Sequence, residues 1–150
     1  MKTPPETPLP LGDLAGLDRT PTMRIGEVAS RLGLSHRSIR YYEEEGLLAP
    51  GYTPGGFRLY SEMDVQRLLI VMSMRPLDYS LEEIRRLLAA VDDGLSEDPQ
   101  RHAASMAVLN EFAETTEERW QALAQRVEIA RSFRGYLSAI VEPSDGGPAA

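Results

Sequence analysis

His36, Arg37, Arg40 and Tyr41 fall at i, i+1, i+4 and i+5, so on a helix they share one face. Together they present two guanidinium forks, an imidazole and a phenol, a donor set that suits phosphate oxygens and the acceptor-rich edges of bases. Ile39 lies on the opposite side of the same run, and Ser35 stands just ahead of it, placed to cap a helix start by accepting from a free first-turn N–H. This chemistry is recognition of an anionic polymer rather than bond-making. The remaining residues point away from an enzyme: there is no Ser/Cys–His pair, no phosphate-binding glycine loop and no acidic cluster spaced for a metal. The chain has two histidines, His36 and His102, on separate elements, and no cysteine, so neither a metal site nor a disulfide framework nor any other cofactor is expected.

The flanking elements give the run its setting. Ile25, Val28, Ala29 and Leu32 at i, i+3, i+4, i+7 predict a helix before it, and Gly33 supplies a bend at little steric cost. A small Ala29 at the crossing, Gly33 in the turn and Ile39 as the apolar anchor are the needs of a helix-turn-helix, although an ordinary helical hairpin has the same apolar spacing. Downstream, Gly46 is placed for a left-handed cap, residues 51–56 (Gly-Tyr-Thr-Pro-Gly-Gly) form a turn, and Phe57-Arg-Leu-Tyr60 reads as a short strand. Alternation puts Arg58 and Tyr60 on the face opposite Phe57 and Leu59. Ser61 caps a further helix with Val65, Leu68, Leu69 and Met72 as its core stripe, from which Arg67 and Arg75 can reach phosphate. Ser80 and Glu83 form a capping box before Leu81, Ile84, Leu87 and Leu88.

Five segments in order, Met23-Arg-Ile-Gly-Glu-Val-Ala, Ser38-Ile-Arg-Tyr-Tyr-Glu43, Glu45-Gly-Leu-Leu48, Gly56-Phe-Arg-Leu-Tyr60 and Ser80-Leu-Glu-Glu-Ile84, closely resemble the N-terminal domain of MerR-type transcriptional regulators. The resemblance runs without a long gap from Met23 to Leu88. It implies a mostly all-α fold, a winged helix-turn-helix DNA-binding domain followed by a long C-terminal coiled-coil dimerisation helix. Relatives often carry Gly before the aromatic Tyr79; here Asp78, which also tolerates a left-handed turn, takes that place.

The order of segments predicts a disordered, proline-rich tail over 1–22, the DNA-binding domain over 23–90, an acidic linker over 91–99, the dimerisation helix over 100–142 and a second tail over 143–150. Net charge is −7, and it is uneven: residues 23–75 carry +1, 76–102 carry −4, 103–150 carry −3 and the first 22 carry −1. Glu27, Glu43, Glu44 and Glu45 are expected away from the reading face or past its end. So modest a basic footprint points to affinity that depends on pairing two copies. There is neither an apolar run of spanning length nor the apolar core of a secretory signal, which fits a cytoplasmic protein with no membrane partner.

The long helix carries a seam. With Met106 at a, positions a and d read Met106, Leu109, Ala113, Thr116, Trp120, Leu123, Val127, Ala130, Arg134, Leu137 and Val141, a 3-4 alternation over about five heptads. Met106, Leu109, Ala113, Trp120, Leu123, Val127 and Leu137 are the expected dimer contacts, with Phe112, Phe133 and Ile140 broadening the stripe. A helix folded back on its own domain is the alternative.

The expected function is a homodimeric, sequence-specific regulator bound to double-stranded DNA. His36, Arg37, Arg40 and Tyr41 would read bases or phosphates, Ser35, Arg58 and Tyr60 would fix register on the backbone, and Tyr42 divides between core and backbone contact. The resemblance adds an inverted-repeat operator, distortion of a promoter spacer and RNA polymerase as a partner at that promoter. An effector is unassigned: a small organic ligand near Phe112, Trp120 and Phe133, or none. The competing class is an architectural or accessory DNA-binding protein, excisionase-like or spreading on direct repeats without a small-molecule effector.

Overall fold

The computed structural model describes residues 6–142, so the C-terminal tail expected over 143–150 lies outside the described residues. In order the elements are α1 (Leu11–Leu14), α2 (Ile25–Leu32), α3 (His36–Glu44), β1 (Gly51–Tyr52), β2 (Arg58–Leu59), α4 (Glu62–Met74), a 3-10 turn (Arg75–Leu77), α5 (Leu81–Gly94) and α6 (Pro99–Val141). The fold is mostly helical, with one two-stranded antiparallel hairpin in which Gly51 faces Leu59 and Tyr52 faces Arg58. Contacts divide the chain after Phe112 into two compact units.

Helix starts follow the local chemistry. Ser61 and Asp64 cap α4 reciprocally, Asp64 N donating to Ser61 Oγ at 3.2 Å and Ser61 N to Asp64 Oδ2 at 2.9 Å. Ser80 and Glu83 do the same for α5 at 3.2 and 2.7 Å. Asp78 takes the left-handed turn, at φ 58°, that lets the chain leave the 3-10 turn and enter α5.

The first unit has two apolar clusters. Val28, Ala29, Leu32, Ile39, Leu48, Tyr60, Val65, Leu68 and Leu69 hold α2, α3 and α4 together. The other cluster joins α4, α5 and the first turns of α6 through Val71, Met74, Tyr79, Ile84, Leu88, Val91 and Phe112. Tyr42 packs half-buried against both, which assigns it to the core. The acidic linker begins later than expected. Residues 91–94 are the last turn of α5, because Val91 continues the spacing of Ile84, Leu87 and Leu88 and is buried with Ile84 and Leu88.

Residues 6–22, expected as part of a disordered tail, instead lie along this unit as an ordered arm. Leu9 N donates to the Oε1 of buried Gln66 at 2.9 Å. Leu11 sits so close to Gly94 that a Cβ there would come within 2.6 Å of its Cδ2. Leu14 is only 2% exposed, inserted into the second cluster, and Thr22 and Met23 donate to Tyr60 O at 3.0 and 2.9 Å. Leu11, Leu14 and Leu17, spaced by three between Pro10 and Pro21, are too brief a pattern to register as a helix, yet they are enough to fill one socket. Leu14→Ala is expected to lower the unfolding free energy by about 2–4 kcal/mol, as for other buried leucines. Urea denaturation followed by circular dichroism measures it, and a loss below about 0.5 kcal/mol would show the arm detached in solution.

Candidate nucleic-acid interface

The interface is built on a bend. Gly33 closes α2 in the left-handed region at φ 69°, Gly33 N donating to Ala29 O at 2.9 Å. The chain then turns into Ser35, whose hydroxyl accepts from Ser38 N at 3.1 Å and caps α3. Ile39 is fully buried against α2 and α4. With that side chain fixed, the spacing of α3 leaves His36, Arg37, Arg40 and Tyr41 exposed on the other side, Tyr41 47% so. The Tyr41 and Tyr42 rings stand 5.5 Å apart, tilted, the first on the surface and the second inside.

Two arginines hold the end of α3 from behind. Arg67 Nε donates to Leu47 O at 2.7 Å and its terminal amine pairs with Asp92 at 2.8 Å. Arg85 Nε donates to Glu45 O at 3.1 Å and the guanidinium pairs with the Glu45 carboxylate. Arg67 is therefore a strut for the loop after α3, not the phosphate contact expected of it.

The hairpin between β1 and β2 is closed by Thr53 N donating to Phe57 O at 2.8 Å and by Gly56 at φ 82°. Arg58 and Tyr60 share a face, as alternation requires, but that face looks onto α3. Arg58 Nε donates to Glu43 Oε1 at 2.9 Å and Tyr60 OH to Glu43 Oε2 at 3.1 Å. Tyr60 itself is fully buried, because its backbone pairs with Met23 and carries the ring into the core. Burial pushes the Tyr60 phenol up from its ordinary pKa, and the adjacent Glu43 carboxylate adds to this, so the hydroxyl stays a donor. Tyr60 thus leaves the set of surface groups expected to meet a DNA backbone. Glu43, expected away from the face, turns out to stand at its edge.

Phe57, on the opposite face of the strand, is 60% exposed, with the Arg24 guanidinium 5.2 Å from its ring centroid. Arg24, Arg40 and Arg58 line one cleft of about 170 Å³ together with Ile25, Gly56 and Phe57. Arg24 is the residue that sequence reasoning missed. The signal available was its position directly before α2, where an extended residue precedes the helix and leaves its side chain outside the apolar period. Three cations from three elements around an open cleft suit an oxyanion of a nucleic-acid backbone.

The family profile described as "MerR HTH family regulatory protein" matches residues 23–91. The chain is 38% identical over 125 residues to the HTH-type transcriptional regulator YfmP of Bacillus subtilis, covering 77% of this chain and 87% of that one. It is 36% identical over 115 residues to ZntR of Escherichia coli K12, covering 76% and 74%. This chain belongs to the MerR family of transcriptional regulators. The likeness to HmrR of Rhizobium leguminosarum is 44% over 71 residues and covers 47% of this chain and 55% of that protein, so the chain matches about half of that relative's length. The fold likeness extends to the crystal structure of HiNmlR, a MerR family regulator lacking the sensor domain and bound to promoter DNA, with a TM-score of 0.61 at 18% identity over 79% of this chain and 91% of that one.

As a member of this family the protein is a DNA-binding regulator of transcription. Among the described residues no three His, Asp or Glu side chains gather where a metal ion could be held, and no helix is long and apolar enough to cross a membrane. Gly33→Ala meets open space, since nothing lies within 4 Å of the added carbon, so its cost is conformational alone. The expected loss is about 1–2 kcal/mol in denaturant unfolding.

Proposed function

We propose that this MerR-family regulator works as a homodimer on an inverted-repeat operator, distorting the promoter spacer between RNA polymerase recognition elements. The observation that carries the reading is the exposed face of His36, Arg37, Arg40 and Tyr41 beside the cleft of Arg24, Arg40 and Arg58. In this reading α3 enters the major groove, Ser35 and the hairpin set register on the flanking backbone, and Arg24 joins Arg58 as a phosphate contact. Support for pairing comes from the second unit. Trp120, Val127 and Leu137 of the seam are 53%, 48% and 42% exposed on a helix with no core of its own. Such apolar area on a long helix favours a partner helix.

The seam has adjustments. Leu109 packs half-buried against the core of the first unit, and Phe112, expected to broaden the stripe, is buried there beside Tyr79, ring centroids 5.7 Å apart. Met106, Ala113, Trp120, Leu123, Val127 and Leu137 remain the proposed pairing residues. Burial of Phe112 also removes it from the set of aromatic groups expected near a small organic effector, which leaves the effector unassigned.

Arg40→Ala is expected to cost about 1–3 kcal/mol of specific binding and to relax preference at one base pair; a loss equal across sequences with a shallower salt slope would make Arg40 a phosphate contact. Trp120→Glu is expected to convert dimer to monomer in sedimentation, and an unchanged mass would overturn the seam. Selection of genomic fragments by the purified protein, followed by footprinting, tests the whole reading. One inverted repeat between promoter elements with a hyperreactive centre supports it. Protection spreading over direct repeats away from a promoter would move the protein to the architectural class.

A further inference from the structure

Glu43 is out of character with its surroundings. It is an acid on the recognition helix, within hydrogen-bond reach of a wing arginine, at the margin of a cleft lined by Arg24, Arg40 and Arg58. Its side chain is only 11% exposed, so its charge is poorly screened by water. Both carboxylate oxygens are engaged, one by Arg58 Nε at 2.9 Å and the other by the hydroxyl of buried Tyr60 at 3.1 Å. The bond to Arg58 uses Nε and leaves the two terminal amino groups outside it. The carboxylate therefore aims the guanidinium while leaving its outer edge able to meet a phosphate.

We propose that Glu43 is a positioning and specificity-determining residue, one that fixes the wing arginine to the recognition helix and at the same time weakens indiscriminate attraction to DNA. This rests on the DNA-binding reading above and deepens it. Three guanidinium charges against one carboxylate give the cleft and its margin a net charge of +2 rather than +3. Any phosphate that enters meets the repulsion of Glu43, whatever the sequence beneath it. Only a duplex whose backbone runs where Arg58 is already aimed regains that loss through an ordered contact. In non-cognate DNA the phosphate must either forgo Arg58 or pull it from Glu43, leaving a little-exposed carboxylate unpaired. Tyr60 completes the device: its ring is locked in the core by pairing with Met23, so its hydroxyl gives the carboxylate a fixed anchor. Recognition helix and wing then move as one body, and correct placement of one requires correct placement of the other.

The test compares full-length wild type with Glu43→Gln on two labelled duplexes, the selected operator and a random sequence, over a range of salt. Glu43→Gln keeps the side-chain shape and removes the charge. It is expected to tighten binding to random DNA about threefold to tenfold and to steepen its dependence on salt by about one counterion. The ratio of specific to non-specific affinity should fall about tenfold. In an Arg58→Met background the same change should no longer alter that ratio, because there is no guanidinium left to aim. Tyr60→Phe removes one anchor without altering charge, and should leave the salt slope as it is while lowering the ratio about threefold. This second variant keeps the idea testable should Glu43→Gln fold poorly. An unchanged slope and ratio in a folded Glu43→Gln protein would overturn the proposal, as would an equal fall in both affinities, which is the mark of a merely structural residue. A wild-type chain that binds neither duplex would instead overturn the DNA-binding reading itself.

Discussion

Burial of Ile39 is the constraint on which the rest of the first unit depends. One side chain of a nine-residue helix is enclosed by Val28, Ala29 and Leu32 of α2 and by Val65, Leu68 and Leu69 of α4. Enclosing an isoleucine contributes about 1.5–3 kcal/mol, and it also sets the rotation of α3 about its axis. Once that rotation is set, His36, Arg37, Arg40 and Tyr41 must face water, because their spacing leaves no other course. The apolar anchor and the exposed polar face are two consequences of the same contact.

Position along the axis is held differently, by polar groups. Ser35 caps one end of α3, while Arg67 and Arg85 reach from α4 and α5 to the carbonyls of Leu47 and Glu45 at the other. These arginines spend their charge inside the protein. In doing so they neutralise Asp92 and Glu45, so these acids do not offset the cations of the cleft, although the chain has a net charge of −7. Acids are matched by structural cations elsewhere, for example Arg31 with Glu62 at 2.8 Å and Arg86 with Glu111 at 2.7 Å. Arg24 and Arg40, in contrast, stand exposed at the cleft. Exposed pairs of this kind contribute little stability singly, so their effect is on where charge is left over.

The hairpin and the arm meet at Tyr60. Its ring completes the cluster around Ile39, its backbone pairs with Met23, and its hydroxyl holds Glu43. Through Thr22 and Met23 the arm is tied to the wing, and through Leu11 and Leu14 it is tied to the last turn of α5 and the core. The arm lies outside residues 23–91, the span of the family profile, yet contributes Leu14 to the core of the domain.

Much of this was legible in the sequence because its causes are local. The period of Ile25, Val28, Ala29 and Leu32, the serine caps at 35, 61 and 80, and the left-handed turns at Gly33, Gly46 and Asp78 each depend on residues within about one helical turn of one another. Helix order and the exposure of His36, Arg37, Arg40 and Tyr41 followed from them. Other features were decided only by tertiary structure, where partners come from distant parts of the chain. Alternation put Arg58 and Tyr60 on one face, but only the tertiary structure set that face against α3, burying Tyr60 and bringing in Glu43, fifteen residues before Arg58. Leu9 and Gln66 are 57 residues apart, and nothing near Leu9 announces that a buried amide awaits it. Arg67 reads in the sequence like any exposed basic residue of a helix; only the folded loop at Leu47 makes it a strut. Spacing determines which residues share a face, and packing determines what that face meets.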